Sequence, residues 1–360
     1  MYWLSAFTTL FLLFTLLPLL PIPWWPIRTL DFPRLQLAIM GLVLTVTQLL
    51  VLPLNALGTY VLLLPTLAAL AYQLWWILPY TPFYPLEVKT SRQEDADNRI
   101  TLMVANVLTP NRQADKLIAI VKEQQPDVLV TLESDRWWQD KLDTLEDYPH
   151  RVACPLDNLY GIHLYSRLRL QGATVEYLVE DDKPSIHTKI ILPSGVSISG
   201  HFLHPAPPSP TENESSSERD AELLVMARKL DDPHQPTLVS GDLNDVAWSR
   251  TTRTFRAVSG LLDPRIGRDM FNTYHADYCF LRWPLDHLFH SDHFTLVRMQ
   301  RLLAFGSDHF PLLAELQYNP RRRHEQNSPE ASAEDKQFAK EKTRAEGVST
   351  QDVPEPGADN

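Results

Sequence analysis

The chain has 360 residues and a formal net charge of −11. That length allows two domains, and that sign weighs against a surface built to track a nucleic acid backbone. Its two cysteines, Cys154 and Cys279, exclude a disulfide framework and form no Cys-x-x-Cys motif, leaving open only a single bridge between them. The average composition conceals a boundary. Before Glu87 the charged side chains are Arg28, Asp31 and Arg34; beyond it charge is distributed as in an ordinary globular domain, and residues 87–319 carry −10.

Within residues 1–86 lie three charge-free apolar stretches, 3–20, 35–54 and 56–78. A bilayer-spanning helix needs about 20 apolar residues, so the pattern predicts a three-helix transmembrane anchor. Trp24-Trp25 and Trp75-Trp76 stand at the ends of stretches, where indoles favour the membrane interface. Pro65 predicts a kink in the third stretch. The start, Met1-Tyr-Trp-Leu4, has no basic side chain, and Pro21-Ile-Pro-Trp-Trp25 is a poor cleavage site, so a permanent anchor is expected rather than a signal peptide. The expected location is the cell membrane, multi-pass. Arg28 and Arg34 in the first loop favour a cytoplasmic domain by the positive-inside rule; Asp31 reduces the margin, and the side stays open.

Residues 98–319 read as one mixed α/β domain. Strand patterns fall at 100–104, 127–132, 161–165, 186–192, 196–203, 237–240, 285–291 and 312–318. Helical spacing appears at Ala114, Leu117, Ile118 and Val121, and again at Ala221, Leu224, Met226 and Ala227. The Pro- and Ser-rich run 205–217 reads as a long exposed loop. Residues 320–360, poor in large apolar side chains, are expected to be disordered.

Polar residues interrupt the ends of the apolar strands. Asn106 follows Thr101-Leu-Met-Val-Ala105, and Glu133 follows Val128-Leu-Val-Thr-Leu132. His204 comes three residues after His201, Asp286 follows Trp283-Pro-Leu285, and Ser240-Gly-Asp-Leu-Asn-Asp245 carries Asp242 and Asn244. Two apart on an extended backbone, Asp242 and Asn244 would project to one side. Gly306-Ser-Asp-His-Phe-Pro311 places Asp308 beside His309, a pairing that can orient and charge-stabilise an imidazole. Strand ends are where loops converge into sites, and amides with carboxylates suit a hard cation better than zinc. His290 and His293 read as surface histidines.

These six pieces, taken in chain order from Asn106 through Glu133, His204, Asp242-Leu-Asn244 and Asp286 to Asp308-His309, resemble the endonuclease/exonuclease/phosphatase superfamily over about residues 98–318. The layout is most similar to its membrane-anchored bacterial members. The resemblance implies a DNase I-like four-layer α/β sandwich, here preceded by the transmembrane helical anchor, and a Mg²⁺-dependent hydrolase with Mn²⁺ as the alternative ion. It implies Glu133 as the main metal carboxylate with Asn106 beside it, and Asp242 positioning or deprotonating the attacking water. Asn244 would orient the phosphate, and His204 would contact a phosphate oxygen. His309 would stabilise the transition state with Asp308 holding its ring, and Asp286 would assist the metal or the His309 network. Leu132 stands where the family often has Gln, and Tyr274 where it often has Trp. Three functions follow. The first is a membrane-anchored phosphoesterase acting on a lipid-linked or small phosphate ester. The second is a nuclease acting on DNA or RNA, which the acidic domain disfavours. The third is a non-catalytic domain that binds a partner. Oligomeric state is not legible.

Overall fold

The nearly charge-free N-terminal segment is helical in the computed structural model, which describes residues 2–92, 95–230, 232, 234–351 and 353. It forms α1 (Tyr2–Leu16), the short α2 (Trp25–Arg28), α3 (Arg34–Val51) and α4 (Leu57–Ile77), the last with Pro65 inside it. Three spans, Tyr2–Leu19, Arg34–Val51 and Leu57–Tyr80, are long and apolar enough to cross a membrane. Small and polar side chains meet where these helices pack together. Gly41 lets Phe11 approach α3 closely, and Gln48 Nε2 donates to Thr8 Oγ1 at 2.8 Å and Thr66 Oγ1 at 3.1 Å.

The rest of the chain builds two sheets. One has six strands: β1 (Arg99–Asn106), β2 (Val128–Leu132), β3 (His150–Cys154), β4 (Ile162–Ser166), β10 (Phe294–Arg301) and β11 (Leu312–Tyr318), in the order β10-β11-β1-β2-β4-β3. The other runs β5-β6-β7-β8-β9, made of β5 (Arg169–Glu176), β6 (Ser185–Ile191), β7 (Ser197–Phe202), β8 (Thr237–Asp242) and β9 (Asp286–His290). Side chains alternate across each strand. Ile100, Leu102 and Val104 of β1, Val130 of β2, Phe202 of β7 and Leu238 of β8 meet between the sheets. Met103, Ala105 and Leu129 face α5 (Ala114–Gln124) and α6 (Arg136–Leu142) on the outside of the first sheet. Val239 and Phe289 face α7 (Ser217–Lys229) and α8 (Arg250–Ser259) on the outside of the second. The result is the four-layer α/β sandwich.

Three expectations need correction. The tail contains α9 (Ala333–Ala345), started by a Ser332 capping box and packed on α7 and α8; Lys342 Nζ reaches Asp220 Oδ2 at 2.8 Å. Residues 352 and 354–360 of the tail lie outside the described residues. The run 205–217 is pinned rather than free, because Trp25 N–H donates to Glu214 O at 3.0 Å and Ser216 N–H to Pro23 O at 2.9 Å. His290 and His293 are buried. Cys154 and Cys279 are both free thiols.

Glu222, buried on α7, has its carboxyl pushed up to about 8 by burial, with Glu180 adding to the rise. The folded chain therefore holds a proton here that the unfolded chain, at an ordinary value of 4.5, releases. The associated stability is present in acid and is lost as pH rises from about 4.5 towards 8. Glu222→Gln should flatten this part of the stability profile. Thermal midpoints of the detergent-solubilised protein from about pH 5 to 8 test it; parallel curves for both proteins would refute the assignment.

Candidate active site

Strand direction gathers the polar ends at one edge of the sandwich. β1 and β2 run parallel, as do β7 and β8, so Asn106, Glu133, His204 and Asp242 all lie at carboxyl ends. β9 is antiparallel to β8, and its first residue, Asp286, pairs with Asp242. Asn106 and Asp242 fall on the inward-facing positions of their strands and meet across the gap between the sheets. Asn106 Nδ2 donates to Asp242 Oδ2 at 3.2 Å and to Glu133 Oε1 at 2.7 Å. The other Glu133 oxygen, Oε2, is buried without a partner.

His309 sits between two carboxylates. Its Nδ1 lies 2.7 Å from Asp286 Oδ2 and its Nε2 3.4 Å from Asp242 Oδ2. Burial pulls the pKa of this imidazole down, but Asp286 and Asp242 outweigh burial and raise it to about 10. His309 is thus an imidazolium at neutral pH. His204, with Nε2 4.0 Å from Asp242 Oδ2, goes the other way: burial lowers it to about 4 and keeps it neutral. Burial also pushes Glu133 up to about 7, against the Asn106 hydrogen bond and the His309 charge.

The structure separates roles that the linear order runs together. Asp286 engages the His309 ring in the place expected of Asp308; adjacent residues on an extended backbone point apart. The Asp308 carboxylate instead accepts from Ser307 Oγ at 3.3 Å and lies close enough to Glu133 to raise its pKa. Asp242 and Asn244 do not share a side by strand alternation. The chain turns after β8, with Asn244 at φ 50° and its N–H donating to Asp242 Oδ1 at 3.0 Å. Asn244 Nδ2 donates to Pro205 O at 2.9 Å, which fixes the amide beside the site. His201 is settled as an interior residue, its Nδ1 2.8 Å from His187 Nδ1, so the histidine at the site is His204.

Asp242, Asp286 and His309 offer ligand atoms within 4.8 Å of one another. Asp286 Oδ2 is already engaged by His309 Nδ1 at 2.7 Å, and a protonated imidazole cannot ligate a metal. A hard cation fits better beside Glu133, whose buried Oε2 has no partner among the described residues, with Asp242 and Asp308 as further oxygen donors. Asn106, expected beside the metal, turns its Nδ2 to Glu133 and Asp242 and its Oδ1 to the Leu108 N–H at 3.0 Å, so it orients the carboxylates instead.

A sequence profile described as the endonuclease/exonuclease/phosphatase family matches residues 103–309. The chain belongs to this family. No curated protein matches it in sequence. Among solved structures it is similar to Danio rerio TDP2 complexed with single-strand DNA product, with a TM-score of 0.50 and 15% identity over 61% of this chain and 99% of that one. It is also similar to the human Nocturnin catalytic domain with bound sulfate, with a TM-score of 0.50 and 17% identity over 63% and 97%. An endonuclease/exonuclease/phosphatase from Beutenbergia cavernae DSM 12333 gives a TM-score of 0.49 and 16% identity over 62% and 72%. At these identities the likeness shows the fold.

In this member of the family Tyr274, Tyr160 and Lys183 complete the walls; the family likeness pointed to the position of Tyr274, and no motif announced the other two. Tyr274 packs on His309 with ring centroids 4.9 Å apart and stacks on Trp283. Tyr160 lies 5.2 Å from the His204 ring, its hydroxyl buried without a partner, and Lys183 Nζ sits 4.1 Å over the Tyr160 ring. Lys183 lies beside Asp181 and Asp182 in the sequence, and nothing in that acidic run marks it as a site residue.

Gly241 places Asp242. It has φ 150°, and a Cβ there would lie 1.9 Å from Leu203 O on the neighbouring strand end. Gly241→Ala should cost about 2–4 kcal/mol from strain and overpacking and lower the thermal midpoint by at least about 5 °C. A variant that melts with the wild type would remove the argument that this close approach sets the site.

Proposed function

We propose that the protein is a membrane-anchored, divalent-metal-dependent phosphoesterase whose substrate is a lipid-linked phosphate ester presented at the bilayer surface. The single observation that carries the chemistry is the ordered contact of Asp286, the His309 imidazolium and Asp242. A phosphoryl group hydrolysed in line needs an oriented water, an acceptor for its proton and charge to meet the equatorial oxygens. Asp242 would hold the attacking water and take its proton as the new P–O bond forms and the bond to the leaving oxygen breaks. His309, kept charged and oriented by Asp286, would donate to a phosphoryl oxygen. Asn244 and neutral His204 would position the other oxygens. Glu133 and Asp308 would hold Mg²⁺ or Mn²⁺, with Asn106 orienting the Glu133 carboxylate, and the ion would supply Lewis-acid stabilisation of the developing charge.

The substrate class rests on where the site opens. The segment from Phe271 to Leu285 carries Tyr274 against His309 and then runs to the anchor. Its tip exposes Tyr278, Phe280 and Leu281, with Phe280 at 84%. Gln36 Nε2, in the first turn of α3, donates to Phe280 O at 2.7 Å, and Phe32 meets Trp283 edge-on at 5.8 Å. One wall of the site is therefore fastened where α3 would enter the bilayer, and aromatic side chains at its tip suit that interface. An acidic domain beside this wall favours a membrane-borne ester over a long nucleic acid.

The full chain in lipid nanodiscs should hydrolyse phosphoesters only with Mg²⁺ or Mn²⁺, and Asp242→Asn should lower kcat about 10²–10⁴-fold. Activity surviving a chelator would overturn the metal role. Cleavage of single-stranded DNA with steep salt dependence, and none of lipid esters, would replace the substrate class with a nucleic acid. Metal binding without hydrolysis of any ester would favour a partner-binding domain.

Phe280→Ser combined with Tyr278→Ser should raise KM for a vesicle-borne ester while leaving a soluble diester unchanged. Equal effects on both substrates would show that the tip supports the wall and does not meet the membrane.

A further inference from the structure

A second basic site lies away from the catalytic edge, between the anchor, α7, α8 and α9. It is a cavity of about 790 Å³. On the anchor side three arginines converge on it: Arg28 at the end of α2, Arg34 at the start of α3 and Arg253 of α8. One carboxylate serves the first two. Asp31 accepts from Arg34 at 2.6 Å and stands 3.6 Å from Arg28. Arg253 has no carboxylate partner among the described residues. Its Nε donates to the carbonyls of Trp248 and Ser249, its guanidinium lies 3.8 Å over the Trp76 ring, and no partner is found there for its terminal nitrogens. The Nε atoms of Arg28 and Arg34 are buried and unpartnered.

Among the described residues, the remaining charges around the cavity are in ion pairs except Glu341. Arg219 binds Asp220 at 2.9 Å and lies 3.5 Å from Asp245, Lys342 binds Asp220 at 2.8 Å, and Arg250 binds Glu334 at 3.0 Å. Glu341 on the α9 rim accepts from Gln337 at 2.7 Å. The excess positive charge is thus local to the anchor side. Burial, and then the neighbouring Arg34, press the Arg253 pKa downward, so an anion here would relieve a charge held at a cost.

Exposed apolar side chains flank this charge. Leu19, Leu20 and Ile22 line the same cavity and face outward at the end of the first membrane-span candidate. A ligand that satisfies both halves carries a phosphate and acyl chains. We infer that this cavity binds the head group of an anionic phospholipid from the leaflet facing the catalytic domain, with its phosphate between Arg28, Arg34 and Arg253 and its chains along Leu19 and Ile22. The site is separate from the one that would hydrolyse substrate. It rests on the reading of α1, α3 and α4 as membrane-embedded, and not on the proposed chemistry. Alkaline carbonate extraction of membranes tests that embedding by itself.

The test uses the full-length protein in a neutral detergent. Its thermal midpoint is measured against phosphatidylglycerol, phosphatidylcholine and inorganic phosphate in separate arms, and native mass spectrometry counts retained lipid. Phosphatidylglycerol should raise the midpoint and stay bound, while the other two should not. Arg253→Gln should weaken the phosphatidylglycerol response about tenfold or more, the worth of one charge-assisted hydrogen bond. Arg28→Gln provides the same reading if the first variant does not fold. Equal responses to both lipids, or a wild-type response in both variants, would overturn the proposal. The full shift from inorganic phosphate alone would overturn the lipid as the source and leave a free-anion site.

Discussion

The candidate site depends on one register. β8 and β9 pair Asp242 with Asp286, and the strand period of two then sends both side chains into the space between the sheets. Along most of their length the inward positions must be apolar, as Leu238 and Leu288 are, because an unpaired polar group there would go unsatisfied. Only at the strand ends, where Asn106 arrives from the other sheet, can carboxylates and amides satisfy one another across the gap. A slip of one residue would turn the two aspartates outward and bring Gly241 and His287 in. The same register fixes the charge of His309, since the two carboxylates that raise it most, Asp286 and Asp242, are this pair.

Much of this was legible in the sequence because the signals were local and periodic. The strands around Val104, Val130 and Leu238 are short, continuous apolar runs, and the ordered polar residues at their ends carried the family likeness. What the sequence obscured was anything decided by the third dimension. β3, β5 and β10 carry Arg151, Arg169 and Arg298 on open faces, which breaks the apolar pattern without breaking the strand. α8 buries Thr251, Thr252 and Thr254, whose hydroxyls find partners or stay covered, so its core face does not look apolar. α9 has few large apolar residues, and contacts with α7 and α8 make it a helix.

The histidines make the same point about chemistry. His187, His201, His287 and His290 are as buried as His309, yet burial lowers the pKa of all four, because among the described residues no carboxylates sit against their ring nitrogens as Asp286 and Asp242 do at His309. His309 differs in its neighbours and not in its type. The sequence offered two aspartates for it: Asp308, nearest in the chain, to hold the ring, and Asp286 to assist the metal or the His309 network; in space it is Asp286, 23 positions away, that meets the ring.

The N-terminal helices are more than a tether on this sandwich. Val246, Ala247, Trp248, Ile266 and Leu285 of the domain share one buried cluster with Ala38, Leu70 and Ile77 of the helices and with Tyr80. Tyr80 donates to Ala247 O at 2.8 Å, and Trp248 Nε1 donates to Asp31 O at 2.8 Å. Each large side chain buried there stabilises the junction by about 1.5–3 kcal/mol, so the domain cannot swing freely about its linker. Backbone contacts at Trp25 and Ser216 fix a second point, and the hydrogen bond from Gln36 to Phe280 a third. Three attachments on different parts of the domain set its orientation to α1, α3 and α4. In a bilayer, that orientation would keep the wall carrying Tyr274 at the surface through every turnover. A soluble phosphate ester gains nothing from such a constraint. An ester confined to the plane of the membrane does, because enzyme and substrate then meet already aligned, and the entropy of that alignment is not lost at each encounter.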